Sequence, residues 1–255
     1  MLHHSGCWSA SSKPVAAGFL PHRRYHLQSH RGARRSLHLP SASRPATQVQ
    51  LTDNHLELAE RLSTWLSDTY DAIDYEQMFK KIEDAAGVAP AMDDESEEVI
   101  YGEFSLPLLC ALLDALDPPQ NATFIDIGAG RGQLCLTAAA IREWKACIGV
   151  EILPELYFMS DAAYDAAKRR GGGLADGGLS PCSFVLGDMY TALNELKGEI
   201  DASGGCVAFL YATKFQAHPA PRDDILLLSA TLHTALPSGS TVITINKRLD
   251  EDDGF

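Results

Sequence analysis

Thr123-Phe124-Ile125-Asp126-Ile127-Gly128-Ala129-Gly130-Arg131-Gly132-Gln133 joins a short apolar run, three glycines at alternate positions and the start of an amphipathic segment. The run 123–127 has the length and side chains of a buried strand, and 133–144 reads as a helix. Glycines at a strand-to-helix turn let the backbone come against a ligand, and the N-terminus of the following helix favours an anionic group. A dinucleotide fingerprint would need a glycine at 133, one residue after Gly132, and Gln133 stands there.

The same alternation continues outward. Apolar runs at 146–152, 182–186, 206–211 and 241–246 are separated by helical patterns at 154–169 and 223–236, a rhythm that predicts a doubly wound, mostly parallel α/β sheet of the Rossmann-like kind. Gly171-Gly172-Gly173 and Gly177-Gly178 form a loop before the third strand. Nineteen residues past Gly132, the second strand ends in Gly149-Val150-Glu151, where a carboxylate can accept bonds from both hydroxyls of a ribose. The third strand ends in Gly187-Asp188-Met189, suited to an adenine amino group and to a thioether against its ring. Three acids, Asp126, Glu151 and Asp188, thus fall at the carboxyl ends of successive strands, where open α/β sheets bind ligands. With the D-x-G-x-G-x-G turn, this favours S-adenosylmethionine over NAD. Read singly, Asp126 is a helix cap, Glu151 a surface acid and Asp188 a turn residue; it is their joint order that argues for a site.

Upstream, Leu58, Leu62, Trp65, Leu66, Thr69 and Ile73 recur at helical spacing behind an N-cap at Thr52 or Asp53. The acidic stretch 92–98 then leads to Ile100-Tyr101-Gly102-Glu103, and Ser105 caps a helix through Leu116 with Pro107 in its first turn. Three regions follow: a basic segment 1–52, a helical prelude with acidic loop 53–98, and a catalytic domain 99–255. Residues 1–52 hold seven Lys/Arg and no acid, so 53–255 carry the remaining 14 basic residues against all 34 acidic ones, a net charge of −20 within the overall −13. An acidic body repels phosphate backbones and suits a basic protein partner, so direct nucleic-acid binding by the folded part is not expected. The scattered arginines of 1–47 have transit-peptide composition, which points to an organelle; a disordered basic arm or a nuclear import signal are the alternatives. No apolar run approaches the roughly 20 residues that span a bilayer, and no membrane association is expected. The six cysteines form no C-x-x-C pair, and Cys135, Cys147 and Cys206 lie in apolar stretches, so buried thiols and no metal site are expected.

Tyr101-Gly102-Glu103, the glycine motif ending in Gln133, Gly149-Val150-Glu151, Gly187-Asp188 and the closing 236–242 together resemble the catalytic domain of the disruptor-of-telomeric-silencing (DOT-type) histone-lysine methyltransferases, which lack a SET domain. The likeness spans roughly 95–248. It implies that Tyr101 and Phe104 lie on a loop over the methionine end of S-adenosylmethionine, braced by Glu103. It also implies that Asp126, Gly128, Gly130, Gln133, Glu151, Asp188 and Met189 contact the cofactor, that the substrate is a histone or other basic protein, and that a nuclear location follows. Two departures stand out. The family's pair of asparagines at the end of the fourth strand is replaced by Tyr211 and Ala212, and its basic tail by the acidic 249–255. The antiparallel hairpin that completes the sheet in class I methyltransferases has no counterpart after 246, which predicts an unpaired edge on the fifth parallel strand. Methyl transfer to lysine needs an apolar aromatic slot that disfavours the charged amine, for which Tyr101, Tyr211 and Phe215 are the candidates. A small-molecule or organellar acceptor, or a catalytically silent cofactor-binding module, are the competing readings.

Overall fold

In the computed structural model, which describes residues 26–29, 49–85, 104–174, 178–201, 204–211, 221–245 and 249, the apolar runs become strands. The order is β1 (His26–Ser29), α1 (Asp53–Asp71), α2 (Tyr75–Ala85), α3 (Leu106–Leu116), β2 (Thr123–Ile127), α4 (Gln133–Ile141), β3 (Ala146–Glu151), α5 (Pro154–Arg169), β4 (Cys182–Leu186), α6 (Met189–Asp201), β5 (Cys206–Tyr211), α7 (Pro221–Ala235) and β6 (Thr241–Ile245). One sheet forms in the order β1-β6-β5-β2-β3-β4, and its last five strands are parallel. Ile125 at the centre of β2 lies beside Ile148 on one side and Ala208 on the other.

Helices cover both faces, which is why β2 is buried along its whole length and reads as a continuous apolar run around one acid. The two-residue period of the strand sends Phe124 into a core with Leu109, Leu112, Cys135, Ala138 and Phe209, and sends Ile125 and Ile127 into a second core with Leu193, Leu210, Leu228 and Leu232. The chain steps from β2 to β3 and β4, then returns to β5 on the far side of β2. Strand order therefore reverses at β2, and the crevice at the carboxyl ends of β2, β3 and β5 is the topological switch point where such sheets bind ligands.

Helices α4 and α6 depart from the sequence pattern. Helix α4 stops at Ile141, three residues before 144, because Arg142 is extended (φ −154°) and Trp144 turns back to donate from Nε1 to the Ala138 carbonyl at 3.0 Å. Helix α6 has no counterpart in the periodicity reading; Leu193, Leu196 and Ile200 give it an apolar stripe, interrupted in sequence by Gly198.

The prelude is welded to this body. Thr52 caps α1 through a reciprocal box with His55, Leu62 packs against Cys110 of α3 and Ala140 of α4, and the Trp65 Nε1–H donates to the Gly172 carbonyl at 2.9 Å. Helix α2 is pinned to α5 by Lys81 Nζ and Asp161 Oδ2 at 2.8 Å. Leu62 is fully buried. Leu62→Ala is therefore expected to cost about 3 kcal/mol in chemical denaturation of the whole chain, in a single transition. A shift confined to a separate early transition would mean that the prelude folds apart from the sheet.

The edge of β6 is paired. His26–Ser29 runs antiparallel along it, with Leu27 opposite Ile243 and Gln28 opposite Val242. The expected bare edge is corrected by this strand. A strand of β-branched residues such as Thr241–Ile245 would otherwise present free backbone groups for association.

Candidate functional site

The turn after β2 is stitched to the end of β3 by backbone bonds. The Gly128 and Ala129 N–H groups both donate to the Val150 carbonyl, at 2.9 and 3.0 Å, and the Gly132 N–H donates to the Ala129 carbonyl at 2.9 Å. The two outer glycines do different work. Gly128 has φ +80° and a Cβ there would meet nothing within 4 Å, so this side of the loop faces open space. Gly132 has φ +85° and a Cβ there would sit 2.8 Å from both Phe184 Cζ and Ser160 Cβ. Only glycine lets the loop close over Phe184 in this left-handed conformation.

Asp126 ends up 2% exposed at the mouth of the crevice, and its Oδ2 has no hydrogen-bond partner. Burial, with a smaller contribution from the Glu151 charge, pushes its carboxyl up to about 8. A buried, unsatisfied carboxyl oxygen is costly in a folded chain, and in a crevice it marks a place made for a ligand donor.

Glu151 is buried but fully employed on one side. Its Oε2 accepts from the Gly130 N–H at 2.7 Å, and its Oε1 accepts from the Ile152 and Leu153 N–H groups at 2.8 and 2.9 Å. Three of the roughly four acceptor directions of a carboxylate are taken, leaving one on Oε2. That direction can accept from one hydroxyl donor, and a second would need a backbone bond to be given up. Glu151→Gln replaces one acceptor oxygen by a donor NH₂ facing backbone N–H groups. It is expected to lower stability by about 1.5–3 kcal/mol, read from the denaturation midpoint, with the glycine loop the first part to gain hydrogen exchange.

The remaining candidates are distributed around these two acids. Gln133 is buried as the first residue of α4. Asp188 is exposed and caps α6, its Oδ1 accepting from the Tyr190 N–H at 2.8 Å, so the turn-residue reading holds for one oxygen while the other is available. Met189 is partly buried against the Leu193 side of the sheet. Phe104 is buried edge-on against Phe209, with ring centroids 5.0 Å apart, and lies 6.2 Å from the half-buried Tyr211 ring at the end of β5. Tyr101, Glu103 and Phe215 lie outside the described residues. Cys135, Cys147 and Cys206 are buried, and burial pushes the Cys206 thiol up to about 12, which keeps it protonated and unreactive.

Two residues of the site escaped the sequence reading. Tyr70, from the prelude, donates from its hydroxyl to the Arg131 carbonyl at 3.1 Å, and the Arg131 guanidinium lies 4.4 Å over the Tyr70 ring. The same guanidinium donates from Nη2 to Gln133 Oε1 at 3.1 Å. A cation inside the glycine motif was a visible signal; its aromatic partner 61 residues upstream was not.

Residues 93–172 match the family described as Histone methylation protein DOT1, a segment of 80 of the 255 residues that includes Asp126, the glycine loop and Glu151. No curated protein sequence matches the chain. Among solved structures, the chain is similar to a TehB-like S-adenosylmethionine-dependent methyltransferase from Corynebacterium glutamicum (17% identity, 67% of this chain and 70% of that one, TM-score 0.35). It is also similar to an RNA methyltransferase from Salinibacter ruber in complex with S-adenosyl-L-homocysteine (22% identity, 57% and 76%, TM-score 0.37). A third similar structure, described by the conversion of a disulfide bond into a thioacetal group during echinomycin biosynthesis, shares 21% identity over 54% of this chain, which spans only 49% of that one, with a TM-score of 0.37. At such TM-scores the likenesses add nothing to the assignment of fold, which rests on the strand order and the glycine turn. What this chain carries is a segment, residues 93–172, similar to the family described as Histone methylation protein DOT1, set in a Rossmann-like α/β fold with five parallel strands.

Proposed function

We propose that the chain binds S-adenosylmethionine at the β2–β3 crevice and transfers its methyl group to a lysine of a basic protein, a histone being the substrate class the resemblance suggests. The observation that carries the cofactor reading is Asp126: a buried carboxyl oxygen without a partner, next to a glycine loop that leaves open space at Gly128, fits the ammonium of an amino-acid tail. The free direction on Glu151 Oε2 suits a ribose hydroxyl, and the second oxygen of Asp188 suits the adenine amino group. Bound there, the sulfonium supplies an electrophilic methyl group for in-line displacement.

The residues of this chain then have to align an amine and exclude water. The aromatic pair Phe104 and Tyr211, at the carboxyl end of β5, supplies an apolar wall that disfavours a charged lysine and so favours the nucleophilic neutral amine. The net charge of −20 over 53–255 supports a basic macromolecular partner, and direct contact with nucleic acid is not part of the proposal. Incubation of the full chain with methyl-labelled cofactor and core histones, beside a basic non-histone protein and a small-amine mixture, tests the acceptor. Label in histone lysines alone supports the full proposal; label only in small amines overturns the protein-lysine reading while leaving the cofactor reading standing.

A further inference from the structure

Arg131 sits between two glycines in left-handed conformation, Gly130 and Gly132, in a loop whose neighbours Asp126 and Glu151 are both acids. Its guanidinium is fixed from two sides. The Tyr70 ring lies beneath it at 4.4 Å, and the Tyr70 hydroxyl holds the Arg131 carbonyl at 3.1 Å. Its Nη2–H meets the Gln133 side chain through the amide oxygen, at 3.1 Å.

Guanidinium can only donate, so an amide bonded to it must offer its oxygen and turn its NH₂ the other way. Gln133 is buried at the first position of α4, whose first backbone N–H groups have no partner within the helix; an amide NH₂ turned away from Arg131 at such a helix start adds a donor where a carboxylate is favoured. A ligand carboxylate brought near Asp126 and Glu151 also needs a cation close by, and Arg131 is the charged donor the loop itself provides. The unpartnered oxygen of the 2%-exposed Asp126 independently marks the same crevice as a ligand site.

We propose that Arg131, clamped by Tyr70, is a positioning residue that orients the Gln133 amide to receive the carboxylate of the cofactor's amino-acid tail, so that α1 is a working part of the cofactor site. The proposal rests on the cofactor reading above. It makes a distinction between two probes: S-adenosylhomocysteine carries the amino-acid tail, and 5′-methylthioadenosine keeps the nucleoside and thioether but lacks the carboxylate and amine.

The test is calorimetric titration of the full chain with both probes, in the wild type and in Arg131→Met, Gln133→Glu and Tyr70→Phe. Arg131→Met is expected to weaken S-adenosylhomocysteine tenfold or more while 5′-methylthioadenosine changes less than twofold. Gln133→Glu pairs with Arg131 and so keeps the fold, yet replaces the amide donor by a second anion; the same selective loss is expected without a fall in melting temperature. Tyr70→Phe, which keeps the ring and removes the hydroxyl, is expected to give a smaller loss of the same selectivity. Equal weakening of both probes, or no weakening by either Arg131→Met or Gln133→Glu, overturns the inference. A folded wild type that binds neither probe overturns the cofactor reading itself, a different result from the loss of selectivity alone.

Discussion

The Asp126→Asn chain is expected to be more stable than the native one at pH 8 and to bind the cofactor far more weakly. In the folded chain the Asp126 carboxyl titrates at about 8, raised from 3.8 mainly by burial. Between those values the folded chain holds a proton that the unfolded chain has released. Stability from this group is thus full below pH 4 and is lost as pH rises towards 8, at up to roughly 1.4 kcal/mol per pH unit. Asparagine has no such proton to lose, so the difference between the two chains should grow from pH 5 to pH 8 in denaturation measured without ligand. An ammonium beside the carboxylate favours its charged form, so binding should release a proton, and the affinity for S-adenosylhomocysteine should rise from pH 5 to pH 7 in the native chain. The asparagine chain should show a flat profile and an affinity lower by roughly 10- to 100-fold, the worth of a hydrogen bond to a charged group. A native profile without slope would mean that Asp126 is a structural acid.

Gly132→Val is expected to bring the chain to the brink of unfolding, whereas Gly128→Ala should fold and fail to bind. At Gly132 a side chain meets φ +85° and two atoms at 2.8 Å, the Phe184 ring and Ser160 Cβ. Backbone strain of about 1–2 kcal/mol and overpacking of about 1–3 kcal/mol add, and β-branching makes the first term worse. A loss of roughly 3–5 kcal/mol is a large share of the 5–15 kcal/mol typical of a domain. At Gly128 the φ is similar, but nothing lies within 4 Å. The cost there is about 1 kcal/mol of strain, and the new methyl group stands in the space a ligand needs. Urea denaturation of both variants, followed by a cofactor titration of the folded one, reads the two effects separately.

Much of the architecture was legible because its signals are local. The glycine turn lies between an apolar five-residue run and a helix, and β2, α5, β4 and β5 begin and end where the residue pattern places them. Parallel strands buried on both faces must be apolar throughout, so they announce themselves. The signals that failed are non-local or diluted. Four residues of a basic, acid-free segment gave no sign that they would pair with Thr241–Ile245 more than 200 positions later, since antiparallel pairing is set by the partner's edge. Gly198 masked the stripe of Leu193, Leu196 and Ile200 in α6. In the site, Asp126 and Glu151 fell where strand ends predict, but the three backbone N–H groups that occupy Glu151 depend on how the Gly130 and Ile152 backbones converge, which spacing does not encode. The clamp of Tyr70 on Arg131 likewise exists only once α1 is docked.

The central claim is that the crevice lined by Asp126, Gly128 and Glu151 is a cofactor site of the sulfonium type. Calorimetric titration of the full chain, β1 included, with S-adenosylmethionine and separately with NAD tests it most directly. Saturable binding of S-adenosylmethionine near one per chain, with no heat from NAD, is the predicted result. A cooperatively folded chain that takes up NAD instead, or binds neither, would contradict the claim.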